Sequence, residues 1–256
     1  MNSLEPHLER SGLLYRIDPR AKLIVFISII AAVALTPPSS VYLLGFYSVL
    51  LVTLAIASDV KAGYLIKRTA VTLPFVLPAI LFIPLLHGGE SLAVIQIGSW
   101  HLTVSSSGAE LAGSILARAW LSVMFLSILM SLTGMNGILD GLERLRAPKI
   151  MTSLLGFMYR YLFIISDEAH RLKAGRDLRY FGGSLLTGIR SVGYMTGSLF
   201  LRSYERGDRV YGAMLLRGYD GTSRSLSHQS LKRCDALFIA CGLLIIAGIN
   251  MTVLWL

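Results

Sequence analysis

Apolar positions along the chain gather into five long runs: Leu23–Thr36, Val41–Ala57, Thr69–Leu86, Ala109–Leu132 and Ala236–Leu256. A helix needs roughly 17–25 predominantly apolar residues to cross a bilayer, and the last four runs meet that length. The first has only 14 residues and stops at Pro37-Pro38. It reads either as a re-entrant segment or as a crossing lengthened by Arg20 and Lys22 snorkelling to the interface. Basic residues flank the far ends of the first two runs, which favours two crossings joined by the Pro-Pro turn. Pro74, Pro78 and Pro84 interrupt the third run. Prolines free backbone carbonyls in a membrane helix, so this one should pack against protein neighbours. Between the third and fourth runs, Val94-Ile95-Gln96-Ile97 and Trp100-His101-Leu102 alternate weakly, the pattern of a small external hairpin with an interfacial Trp. His87 and His101 lie there without a carboxylate or cysteine set.

Two more stretches are apolar but carry a central arginine: Ile150–Ser166 with Arg160, and Ser184–Leu201 with Arg190. They read as long amphipathic helices at the membrane surface rather than as spans. The punctuation predicts their limits. Asn136 can cap a short helix through Leu145, and Pro148 stops it. A second helix is expected from about Lys149 to Tyr180, ending at Gly182-Gly183. A third is expected over roughly Ser184–Arg217, bent near Gly207 and stopped at Gly218 as a C-cap.

Charge then gives the chain a direction. Of 24 Lys and Arg residues, four lie in the N-terminal arm, three between the second and third runs, and 16 between Arg144 and Arg233. Arg118 alone falls inside a run, where an ionisable group is a functional candidate unless it snorkels or pairs within the bundle. Pro37–Ser40, His87–Gly108 and the stretch after Met251 carry none. Cytoplasmic segments hold the Lys/Arg excess, so the pattern predicts an inner cell-membrane protein with five crossings, its N-terminus inside and its C-terminus outside. The organisation expected is an arm with four spans over residues 1–133, a cytoplasmic section over 134–234, and a last span over 235–256. The fold class is an all-α integral membrane protein.

Composition agrees: 54% of residues are hydrophobic, 15% charged, and mean hydropathy is +0.63. The net charge of +9 sits beside membrane spans, where anionic lipid and an acidic partner are better counterparts than nucleic acid. Met1–Ser11 holds Glu5 and Glu9 rather than a basic n-region, so no cleavable signal peptide is expected. Cys234 and Cys241 read as packing residues. The sequence has no G-x(4)-G-K-[ST] nucleotide loop, no G-x-S-x-G nucleophile context and no cluster of metal-ligand spacing. No catalytic residue, metal site or cofactor is therefore expected in this chain. A membrane-embedded enzyme or self-sufficient channel is the alternative from another class, but polar residues are sparse along the spans.

The surfaces are more telling. Both long amphipathic helices end alike, in Leu178-Arg179-Tyr180-Phe181-Gly182 and in Leu216-Arg217-Gly218-Tyr219. A cation at a helix C-terminus suits the dipole by a fraction of a kcal/mol, so one case would mean little. Two cases 38 residues apart suggest two equivalent plugs for two equivalent sockets. A planar, always-charged guanidinium suits a carboxylate-lined groove.

The chain resembles the transmembrane T subunits of energy-coupling factor (ECF) transporters, the CbiQ/EcfT family. The resemblance rests on Leu14-Tyr15-Arg16-Ile17-Asp18-Pro19-Arg20-Ala21-Lys22, on Pro148, on the block Tyr159–Ala169, and on Ala213–Gly221. The Tyr-Arg-Tyr-Leu-Phe start of that block is closer to the cobalt/nickel branch than to the shared vitamin branch. The resemblance implies two coupling helices whose arginine motifs dock into two ATP-binding cassette ATPases. ATP would be bound by those partners, and the metal by a separate substrate-binding membrane subunit. The second motif maps onto Leu216-Arg217-Gly218. The first departs from the family pattern: Leu178-Arg179-Tyr180 fits by its distance from Asp167-Glu168, and Arg176 is the alternate.

Overall fold

The computed structural model describes residues 13–38, 40–60, 62–72, 91–97, 100–179, 184–221 and 232–255, with a few isolated positions between 74 and 83. The fold among these residues is helical: α1 (Pro19–Leu35), α2 (Val41–Ala57), α3 (Ala62–Ala70), α4 (Ser106–Arg144), α5 (Lys149–Asp177), α6 (Leu185–Leu216) and α7 (Arg233–Trp255). A 3-10 turn, Leu13–Arg16, precedes α1. The expected hairpin is present: β1 (Ser91–Ile97) pairs antiparallel with β2 (Trp100–Ser105). Two described helices, α4 and Arg233–Met251 of α7, are long and apolar enough to cross a membrane, and Tyr42–Ala57 is a shorter apolar helix. The third predicted span, Thr69–Leu86, lies mostly outside the described residues. Its start belongs to α3, which begins earlier, at Ala62.

The chain divides into two compact units, residues 1–141 with 229–256, and residues 142–228. In the first, the core follows helical spacing. Val25, Phe26, Ile29 and Val33 of α1 are buried, as are Leu43 and Tyr47 of α2 and Leu121, Phe125, Ile128 and Leu132 of α4. Ile27, Val49, Val52, Ile56 and Leu244 face outward, a surface that lipid tolerates and water does not. Between apolar helices in lipid, close backbone approach supplies the attraction. At Gly242 of α7 an added Cβ would lie 2.8 and 3.0 Å from the two methyl carbons of Val25. The α1–α7 contact is therefore closed by the missing side chain.

Polar pins fix the ends of these helices. Asp18 caps α1, accepting from the backbone N–H of Arg20 at 2.9 Å. Asp235 uses both carboxylate oxygens, accepting from the backbone N–H of Lys232 at 2.8 Å and of Asp18 at 2.9 Å. One buried carboxylate thus closes the first turn of α7 and holds the start of α1.

Lys22 does not snorkel. It is only 2% exposed, and its ammonium donates to the carbonyls of Tyr15 at 3.3 Å and Leu132 at 3.5 Å. Carbonyls left free at helix ends compensate the buried charge better than a stretch to the interface. Arg118 pairs inside the bundle: Nε and Nη2 reach the carbonyl and hydroxyl of Ser114, and Nη1 reaches the carbonyl of Thr36 at 3.0 Å.

The break expected at Asn136 falls two residues earlier. Gly134, at φ 64° and ψ 166°, interrupts α4, because glycine adopts that backbone without Cβ strain.

Candidate functional site

In the unit formed by residues 142–228, α5 packs on α6. Pro148 precedes α5 and Ser184 precedes α6, so both begin where the punctuation places them. The helix α6 is continuous through Gly207. Glu168 ties the pair together: its carboxylate accepts from Arg202 of α6 at 2.6 Å and lies 3.8 Å from Arg171. From this bridge each helix continues to its C-terminal end. At about 1.5 Å per residue, Leu178 lies ~15 Å further along α5 and Leu216 ~21 Å further along α6.

The two ends share chemistry but not register. At the end of α6, Arg217 is the C-cap and Gly218 follows at φ 79°. The N–H of Tyr219 donates to Met214 O and that of Gly218 to Leu215 O, both at 3.0 Å. That closure satisfies the last carbonyls without the arginine side chain. At the end of α5, Leu178 is the C-cap and Arg179 stands one residue beyond it, its N–H on Arg176 O. Tyr180 lies outside the described residues.

Each end displays an exposed leucine beside an exposed arginine. Leu178 is 80% exposed and Leu216 is 92% exposed. Among the described residues neither the Arg179 nor the Arg217 guanidinium has a partner, and both residues are exposed. Arg176 differs. Its Nε and Nη2 both donate to Asp177 Oδ1, at 3.1 and 2.8 Å. The structure thus separates the two arginines that the sequence left as alternatives by how far each is already satisfied.

The Glu168–Arg202 bridge escapes a sequence reading because its partners are 34 positions apart. Only the local half of the Asp235 pin has a sequence signal, an acid three residues after Lys232 at the start of an apolar run, since its bond to Asp18 spans 217 positions.

A family model described as CbiQ, cobalt transport protein, matches residues 10–228. The chain is 25% identical to an uncharacterised protein of Methanocaldococcus jannaschii over 95% of this chain and 84% of that protein. It is 26% identical to the energy-coupling factor transporter transmembrane protein EcfT of Lactococcus lactis, over 97% of this chain and 94% of that protein. It is also 26% identical to the cobalt transport protein CbiQ of Rhodobacter capsulatus, over 58% of this chain and 61% of that protein. The family match takes in both arginine-tipped ends and all the apolar runs but the last. The chain belongs to the CbiQ/EcfT family of energy-coupling factor T subunits and is a membrane component of a transporter.

Proposed function

We propose that this protein is the non-catalytic coupling subunit of an ATP-driven cobalt/nickel importer. It works with two ATP-binding cassette ATPases and a substrate-binding membrane subunit of metal type. The observation that carries the proposal is the repeated exposed Leu-Arg pair, unpartnered among the described residues, at the ends of two helices that Glu168 and Arg202 hold together. An exposed leucine beside an exposed guanidinium suits a groove with an apolar floor and a carboxylate rim. Two such tips on one bridged helix pair can transmit the opening and closing of two ATPases as a single movement.

Arg179 is the first coupling arginine in this proposal, and Arg176 is held by Asp177. Leu178, Tyr180, Leu216 and Gly218 flank the two arginines as docking residues. The test is ATPase copurification with Arg179→Ala, Arg217→Ala and the pair, with Arg176→Ala and Arg224→Ala as controls. A charge-assisted hydrogen bond contributes about 1.5–3 kcal/mol, so each single change should weaken docking roughly 10- to 100-fold. A double variant that keeps its ATPases and transports normally refutes the proposal.

Five crossings place both tips, with the basic section, in the cytoplasm and the C-terminus outside. A cysteine at Ser106 should label from outside intact cells, and one at Ser223 only after permeabilisation. One observation favours a vitamin-importer subunit instead: the EcfT relative aligns over 97% of the chain, the CbiQ relative over 58%. Uptake of cobalt or nickel ions against uptake of vitamins, with the partner subunits present, separates the two.

A further inference from the structure

The surroundings of Lys22 contain a second device, independent of any ATPase contact. The helix α4 is broken at Gly134, and Leu132 lies in the turn just before the break. Carbonyls in that position lose the N–H donors that a continuous helix would give them. The Lys22 ammonium fills the gap at Leu132 O while also holding Tyr15 O, and it sits 5.9 Å from the centre of the Tyr15 ring. A lysine this deeply buried persists only where such partners compensate its charge.

Beyond the break, the second leg of α4 is seated on the start of α1 by the absent side chain of Gly141. An added Cβ at Gly141 would lie 2.5 Å from Leu23 Cδ1 and 3.4 Å from the Pro19 carbonyl carbon. At Gly137 the crowding atom is Thr133 Cγ2 of α4 itself, at 2.9 Å, with Pro19 Cγ in ordinary contact at 3.8 Å. Among the described residues, the buried Thr133 hydroxyl has no hydrogen-bond partner. One lysine, one glycine with positive φ and the close approach of Gly141 to α1 therefore meet at one bend.

We propose that Lys22 is a positioning residue that pins the bend at Gly134, and so sets the direction in which the chain leaves the α4 span. The helix α4 cannot straighten across Gly134 without withdrawing Leu132 O from the ammonium or Gly141 from Pro19 and Leu23. Removing the ammonium removes the donor that stands in for the lost helical bond. The helical alternative, in which the N–H of Asn136 returns to Leu132 O, then gains weight.

The test uses the full chain in lipid nanodiscs, with Cys234→Ser and Cys241→Ser and spin labels at Glu110→Cys and Asp140→Cys. A straight helix would separate these sites by about 45 Å, at ~1.5 Å per residue. The lysine-containing chain should give one population at a shorter distance. Lys22→Met should shift it towards the straight-helix value or spread it, and Lys149→Met, at an exposed position, should leave it unchanged. Gly134→Ala should shift it in the same sense, because alanine resists the positive φ. A Lys22→Met distribution that superimposes on that of the unchanged chain overturns the pin. If Lys22→Met does not reach the membrane, Gly134→Ala decides: a shift supports the pinned bend, and an unshifted distance overturns it.

Discussion

Replacing Arg118 with methionine tests whether an arginine within a membrane helix carries function or holds two helices together. Its guanidinium makes two bonds within its own helix, to Ser114 O at 3.1 Å and Ser114 Oγ at 2.7 Å, and one to another helix, Thr36 O at 3.0 Å. Only the last crosses the bundle. Thr36 is the buried C-cap of α1, so its carbonyl has no helical donor, and Pro37 follows it. A cation there also meets the negative end of the α1 dipole. Arg118→Met leaves that carbonyl buried and unpaired, at a cost of about 1–3 kcal/mol. The ratio of folded to unfolded protein should fall up to roughly a hundredfold, since about 1.4 kcal/mol is a factor of ten. Arg118→Lys should be intermediate, because an ammonium can reach Thr36 O but cannot also span Ser114. Detergent-induced unfolding followed by tryptophan fluorescence measures this, with Trp120 two positions away. Unchanged unfolding in Arg118→Met together with abolished uptake would refute the capping role and put Arg118 on the transport path.

Gly242→Ala should loosen the α1–α7 contact by about 1–3 kcal/mol, because branched Val25 cannot swing clear of the new methyl group. Gly248→Ala, with open space around it, should be neutral, and Val25→Ala should restore much of the loss in Gly242→Ala; the same unfolding assay reads all three. Asp235→Asn keeps one acceptor where two backbone N–H groups need one each, so it should cost about 1–3 kcal/mol. Faster hydrogen exchange at the amides of Asp18 and Lys232 would report that loss, and unchanged exchange at both would count against the pin.

Much of this architecture is legible in the sequence because it follows from local rules. Pro148, Ser184 and Gly218 set the limits of α5 and α6, and the alternation around Val94 and Trp100 gave the hairpin. Resemblance pointed to Arg179 and Arg217, and their repeated helix-end context gave a physical reason to look at them. What could not be read depends on groups far apart in the chain. Lys22 looked like a snorkelling residue because nothing in its neighbourhood shows that Leu132, 110 positions later, offers a carbonyl beside a broken helix. Asn136 looked like the cap because its side chain suits one, yet the backbone breaks at Gly134, where no Cβ opposes it. Arg179 is preferred over Arg176 for its distance from Asp167-Glu168, and the Arg176–Asp177 contact, which depends on a rotamer, is a difference no motif shows.

Proximity of the two helix ends to the ATPases is the most direct test of the coupling role. Single cysteines at Leu178 and Leu216, in a chain lacking Cys234 and Cys241, would carry a short photo-crosslinker in the assembled complex. Leu201, mid-way along α6 and 62% exposed, is the control. Both tips should crosslink to ATPase subunits, and Leu201 should not. Failure at both tips, or equal crosslinking from Leu201, contradicts the assignment of Arg179 and Arg217 as the points where ATP hydrolysis reaches the membrane.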